Sequence, residues 1–193
     1  VDMCWAEFPT STVSAVMSDG AVRLLTWQQE QQVWGWSKMS TAGLIESCCT
    51  VSEGGEDVVY YVVKRGSKRY VEYSASTQWS DVADAVYLDS AVRYSGEPVS
   101  SFSGAYHLAG QTIDVLADGA VYSDVQVDAD GRFDLPQTAS KVVAGLPFEA
   151  WIRTLPLGAE QVKGEPKAIA GAVIHVLRSR GLEVGIGKNL PPG

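Results

Sequence analysis

Apolar and polar residues alternate with a period of two through most of this chain, in short runs broken by Gly, Asp-Gly and Pro. That pattern predicts strands and tight turns rather than helices. The run from Gly104 to Leu157 shows it most fully and carries no set of residues suited to chemistry. In the first third, Val13 to Met17 is a short apolar strand closed by Asp19-Gly20, a pair that accepts the positive φ angles of a hairpin turn. Val22 to Trp27 is its partner, and the polar stretch Gln28 to Gln32 is the next connection. Val33 to Met39 follows, with Trp34 and Trp36 on one face at the period of two. Leu44 to Val51 makes a fourth strand, and four short strands within about forty residues match one blade of a β-propeller.

Glu53 to Asp57 forms an exposed turn into Val58 to Val63, a continuously apolar run expected to be covered on both faces. Gly66-Ser67 turns it back into Arg69 to Tyr73, a hairpin. The polar stretch Ser74 to Ser80 marks a domain boundary, and Asp84 to Ser90 leads into the second module. There Val121, Val125 and Val127 are assigned to one strand face and Tyr122, Asp124, Gln126 and Asp128 to the other. Asp130-Gly131 then turns the chain toward Phe133 and Leu135. Pro136, Pro147 and Pro156 are expected to confine their strands to edges or starts, because proline cannot donate to a ladder. Ala168 to Arg180 has helix signals in Pro166 and Gly181, but its β-branched Ile169, Val173, Ile174 and Val176 favour a long strand, turning near Gly181 into Leu182 to Val184.

The fold class read from this pattern is mainly β: an antiparallel meander resembling a propeller blade, followed by a small β-sandwich or barrel-like domain. The first domain spans residues 1–78, the meander with its extra hairpin, and the second spans 79–193.

Composition narrows the function classes. With 193 residues and 46% hydrophobic content the chain can bury a sizeable core. A net charge of −8 lacks the basic footprint of a protein that grips nucleic acid through its phosphates. No apolar stretch approaches the ~20 residues of a membrane-spanning helix. The first residue is Val1 rather than methionine, and a fragment of a longer chain is the expectation favoured over processing. Cys4, Cys48 and Cys49 are an odd set; the adjacent pair points to opposite faces of a strand and is poorly placed to pair or share a metal, so reduced, buried thiols are expected.

Searches for catalytic and cofactor sites fail on residue type or spacing. His107 and His175 are the only histidines, too few for a multi-histidine zinc site. His175 is expected to be partly buried and hydrogen-bonded on a strand. Asp128, Asp130 and Asp134 have a calcium-loop look but lack the later bidentate glutamate, so a β-turn is the expectation. Gly185 to Lys188 lacks the glycine spacing and the Ser or Thr of a phosphate loop. No catalytic residue, cofactor or metal ligand is assigned. Of the six tryptophans, Trp34, Trp36 and Trp151 are the candidate packing or interface residues; a sugar-stacking platform is the alternative, favoured if an exposed aromatic pair lies near carboxylates.

The segments LTWQQEQQVWGWSKMSTAGLIESCCTV, DVVYYVVKRGSKRYVEY, DAVYLDSAVRYSG, HLAGQTIDVLADGAV, GLPFEAWIRTLPL and HVLRSRGLEVG, in this order over most of Val22 to Gly185, resemble the C-terminal part of the nozzle, or tail tubular protein B, of short-tailed bacteriophages and prophages. His107 fits a structural position of that family, beside Leu108 and Gly110. The resemblance implies a non-catalytic structural subunit of the virion tail, assembled in the bacterial cytoplasm. It also implies a sixfold ring of copies, with neighbouring tail or adaptor proteins and DNA passing through unbound. An acidic wall suits such a conduit because it repels phosphates, although a solvated acidic surface also serves plain solubility. A β-rich receptor- or glycan-binding module is the alternative function.

Overall fold

Alternation becomes three antiparallel sheets in the computed structural model, which describes residues 2–153, 173–176 and 182–185. Strands β1 (Asp2–Ala6), β2 (Thr12–Val16), β3 (Val22–Gln28) and β4 (Val33–Met39) form a sheet in that order. Strands β5 (Leu44–Glu53), β6 (Glu56–Arg65) and β7 (Lys68–Tyr73) form a second. Strands β8 (Asp89–Ser103), β9 (Thr112–Ala117), β10 (Ala120–Gln126) and β11 (Arg132–Leu146) form a third, in the order β10-β9-β11-β8. Residues 1–148 make one compact unit and residues 149–193 another.

The first unit contains two cores. In one, Ala6, Val16 and Val22 of the first sheet meet Ile45, Cys48, Val59, Tyr61 and Val63 of the second. Inside it, Ser14 is 1% exposed and its hydroxyl bonds the Tyr61 hydroxyl at 3.2 Å, so the polar groups are paired where the layers meet. Burial pushes the Tyr61 phenol up to about 12. In the other core, Phe102 and Phe133 stack with ring centroids 5.2 Å apart, and Ile113, Val115, Val142 and Ala144 close around them.

The meander is real, but its membership differs from the sequence expectation. Leu44 to Val51 is a strand, yet it pairs with β6 in the second sheet, and the first sheet takes β1 as its fourth member. The hairpin of β6 and β7 stands where expected, turning at Gly66-Ser67. Its apolar run is not covered on both faces: Val59, Tyr61 and Val63 are buried, while Val58, Tyr60 and Val62 are half-buried, because the second sheet has a packed layer on one side.

Two further corrections follow from irregular backbone. On β10 the register slips between Tyr122 and Val125, where Asp124 adopts φ 60°. One extra residue inverts the alternation, so Tyr122 packs on the core together with Val125, whereas Val121 is exposed. Pro136 lies within the 15-residue β11, neither at its start nor at a sheet edge by strand order. It is tolerated because the ladder to β8 breaks between Asp134 and Ala139, and β9 pairs only with Val142 to Gly145. Pro147 does follow the end of a strand. Residues 173–176 and 182–185 are exposed and not in strands, so the long strand assigned to Ala168–Arg180 is absent where it is described; its remainder, like Pro156, lies outside the described residues.

Loops are tied down by carboxylates. Asp57 accepts hydrogen bonds from the amides of Glu7 and Phe8, at 2.7 and 3.2 Å, and from the Ser52 hydroxyl. These donors hold its carboxyl below the usual aspartate range. At Gly131, φ is 71° and an added Cβ would lie 2.6 Å from the Tyr106 nitrogen, so only glycine fits.

Tyr61→Phe is expected to cost about 1–2 kcal/mol by leaving the Ser14 hydroxyl buried and unpaired, and adding Ser14→Ala is expected to recover part of that loss, as urea denaturation would measure. Because folding lowers the Asp57 pKa, its contribution is complete above the ordinary value near 3.8 and is lost as pH falls through the lower folded value. Asp57→Asn is therefore expected to flatten the fall in thermal midpoint between pH 5 and pH 2 relative to the parent chain.

Candidate interaction surface

The inward face of the β1–β4 sheet is fixed by its packing on β5–β7, so strand alternation dictates what the outward face carries. Register places Trp5, Val13, Leu25 and Trp36 in one row across the four strands. Met3, Ala15, Arg23 and Lys38 form the next row. Trp27 and Trp34 face each other on the other side, their rings stacked at 5.8 Å and 27°.

Within residues 1–148 no layer covers this face. Met3 and Trp36 are each 66% exposed, Trp34 is 62% exposed, and Trp5 and Trp27 are nearly half exposed. At about 150–250 Å² for a large side chain, the five present roughly 400–700 Å², as large as the largest apolar patch of an ordinary monomer and more than half of the ~800 Å² each partner contributes to a stable interface. One border is charged: Arg23 lies 3.6 Å from Asp19, whose carboxyl is held low by the Ala21 amide and by Arg23 and Lys38.

Trp34 and Trp36 thus share an exposed face, as expected from their spacing. Trp151 lies in the second unit, where it is exposed and its indole donates to Glu149 at 3.1 Å. Met3, Trp5 and Trp27 complete the surface and were not singled out from sequence. For Trp27 the signal was its spacing of two from Leu25 along β3; Met3 and Trp5 had none, since four of the five residues of β1 are apolar.

The other sequence candidates have structural surroundings. The amides of Asp130 and Arg132 both donate to one Asp128 carboxylate oxygen at 2.8 Å, and Gly131 donates to the Asp128 carbonyl at 3.2 Å, so this segment is a turn. His107 Nε2 donates to the Ser90 carbonyl at 2.9 Å, and its ring lies 5.7 Å from that of Tyr70. His175 is exposed rather than partly buried. Cys48 is buried and Cys49 exposed, on opposite sides of β5. Among the described residues no three His, Cys, Asp or Glu side chains are grouped to hold a metal ion. Gly185 is described, and the rest of the Gly185 to Lys188 segment lies outside the described residues. Among the described residues no helix is long and apolar enough to cross a membrane.

No protein-family model matches this chain, and no curated protein matches it.

Since Trp36 is largely exposed and Trp34 stacks on Trp27, the two should respond differently to truncation. Trp36→Ala is expected to change folding stability by less than about 0.5 kcal/mol, whereas Trp34→Ala is expected to cost a further ~1 kcal/mol from the lost ring pair. Urea denaturation checks this, and the double variant is expected to bind less of an apolar dye in the native state.

Proposed function

We propose that this chain is a structural component of a bacteriophage tail, a nozzle-like subunit in the wall of the channel through which DNA leaves the capsid, with no catalytic role. The observation that carries the reading is the uncovered aromatic face of β1–β4, an apolar area of the size that assembly subunits bury and isolated monomers seldom leave wet. The order of sequence segments that resembles the nozzle family supports the specific setting: copies of the chain in a sixfold ring, next to tail or adaptor proteins, in the virion tail. The net charge of −8 supports passage of DNA without capture, since phosphates are repelled by an acidic wall.

A second reading, a receptor- or glycan-binding module, draws on the same exposed Trp34 and Trp36. The charged side chains in the adjoining row of the face are Arg23 and Lys38, and the carboxylate at that border, Asp19, is taken up by Arg23 and the Ala21 amide instead of being offered to a sugar.

Labelling of intact phage or induced prophage particles with an antibody against this chain, read by electron microscopy, tests the proposal. Label confined to the tail is the expected result. Well-stained particles without label, with the antigen found only in the cell, would overturn it. Quenching of tryptophan fluorescence that saturates with added oligosaccharide would favour the second reading.

A further inference from the structure

Two of the three cysteines meet between the layers of the first core. Cys4 is half-buried on the inward face of β1 and packs against the cluster that contains Cys48. Three contacts converge on this spot. The Cys48 amide donates to the Asp2 carboxylate of β1 at 3.0 Å, the Cys48 thiol donates to the Ser14 carbonyl at 3.7 Å, and Ser14 is the cross-strand partner of Cys4. Cys4 is thus bracketed by two residues that Cys48 bonds, Asp2 on its own strand and Ser14 across the ladder. Cys49, one residue along β5, is exposed on the far face and cannot reach either.

We infer that Cys4 and Cys48 are a redox staple: a low-molecular-weight disulfide, such as oxidised glutathione, converts the pair into a disulfide that fastens the N-terminal strand of one sheet to β5 of the other. The chemistry proceeds in two exchanges. Cys4, the more accessible thiol, loses its proton to solvent and attacks one sulfur of the oxidant, whose S–S bond breaks and releases one glutathione thiolate, which takes up a proton. Cys48 then attacks the Cys4 sulfur, the bond from Cys4 to glutathione breaks, and the second thiolate leaves with the proton from Cys48. Two protein thiols are oxidised and one disulfide is reduced to two thiols.

Burial and the neighbouring Cys4 push the Cys48 thiol up to about 12. The second exchange is therefore the slow one, and the staple closes slowly near neutral pH and faster as pH rises. A chain kept in a reducing cytosol stays open, and one moved to an oxidising medium closes over time.

The test uses the full chain with Cys49→Ser, which removes the exposed thiol, incubated with oxidised glutathione between pH 7 and pH 9. Tryptic mapping without reductant is expected to join the peptide ending at Arg23 to the one ending at Lys64 within one chain. The rate of joining is expected to rise about tenfold per pH unit, and the thermal midpoint by more than about 5 °C, reversibly with dithiothreitol. Adding Cys48→Ala is expected to stop the reaction with glutathione on Cys4. Glutathione that stays on Cys4 even at pH 9 in the chain that keeps Cys48, a disulfide between two chains, or thiols that react only after denaturation would each overturn the inference.

Discussion

Packing one face of the β1–β4 sheet on β5–β7 is the constraint from which most of this protein follows. A strand has two faces, and once Ala6, Val16 and Val22 are committed inward, Trp5, Leu25, Trp27, Trp34 and Trp36 have only the outside left. Exposed tryptophans are thus not an accident of loose folding. The same sequence that fills this core mostly with small and branched residues reserves its tryptophans for the opposite side, where nothing within residues 1–148 covers them.

The two cores of the first unit are joined by charge and hydrogen bonds. Arg65 at the end of β6 grips Glu72 of β7 with two bonds, at 2.7 and 2.8 Å, and donates to Thr41 at 2.7 Å. Thr41 in turn donates to Asp89, the first residue of β8, at 2.6 Å, and Asp89 lies 3.5 Å from the same guanidinium. The Arg65 side chain is 10% exposed, so this arginine is largely desolvated and depends on those partners. Next to it Ser90 holds φ 55°, a left-handed conformation seldom taken by a serine, with its carbonyl held by His107. The strain sits where β8 begins the third sheet, at a point held by Arg65 and Thr41 on one side and His107 on the other. A second tie runs from Lys141 of β11 to Asp81 and Asp84, at 3.1 and 2.9 Å, anchoring the connection before β8.

Strand positions were legible in the sequence wherever turn chemistry punctuated a period-two run. Asp19-Gly20, Gly66-Ser67 and Asp130-Gly131 all turn the chain, and β4 begins and ends at the residues that alternation assigned to it. What failed was phase and partnership. The bulge at Asp124 exchanged the places of Val121 and Tyr122, and nothing local in a short polar stretch marks an extra residue. β1 went unread because five residues beginning with Asp2 give little periodicity, and without it Met3 and Trp5 could not be placed on the candidate surface, nor Cys4 opposite Cys48.

The sequence by itself determined that this chain builds antiparallel β-structure, where its main turns fall, and that Trp34 and Trp36 share a face, because each of these depends on residues close in the chain. Only the tertiary structure decided that Leu44 to Val51 joins the second sheet instead of closing the first, and that no layer within residues 1–148 packs on the tryptophan face. Which sheet a strand enters, and which face is buried, are set by contacts between residues distant in sequence, and alternation is the same whichever face the core takes.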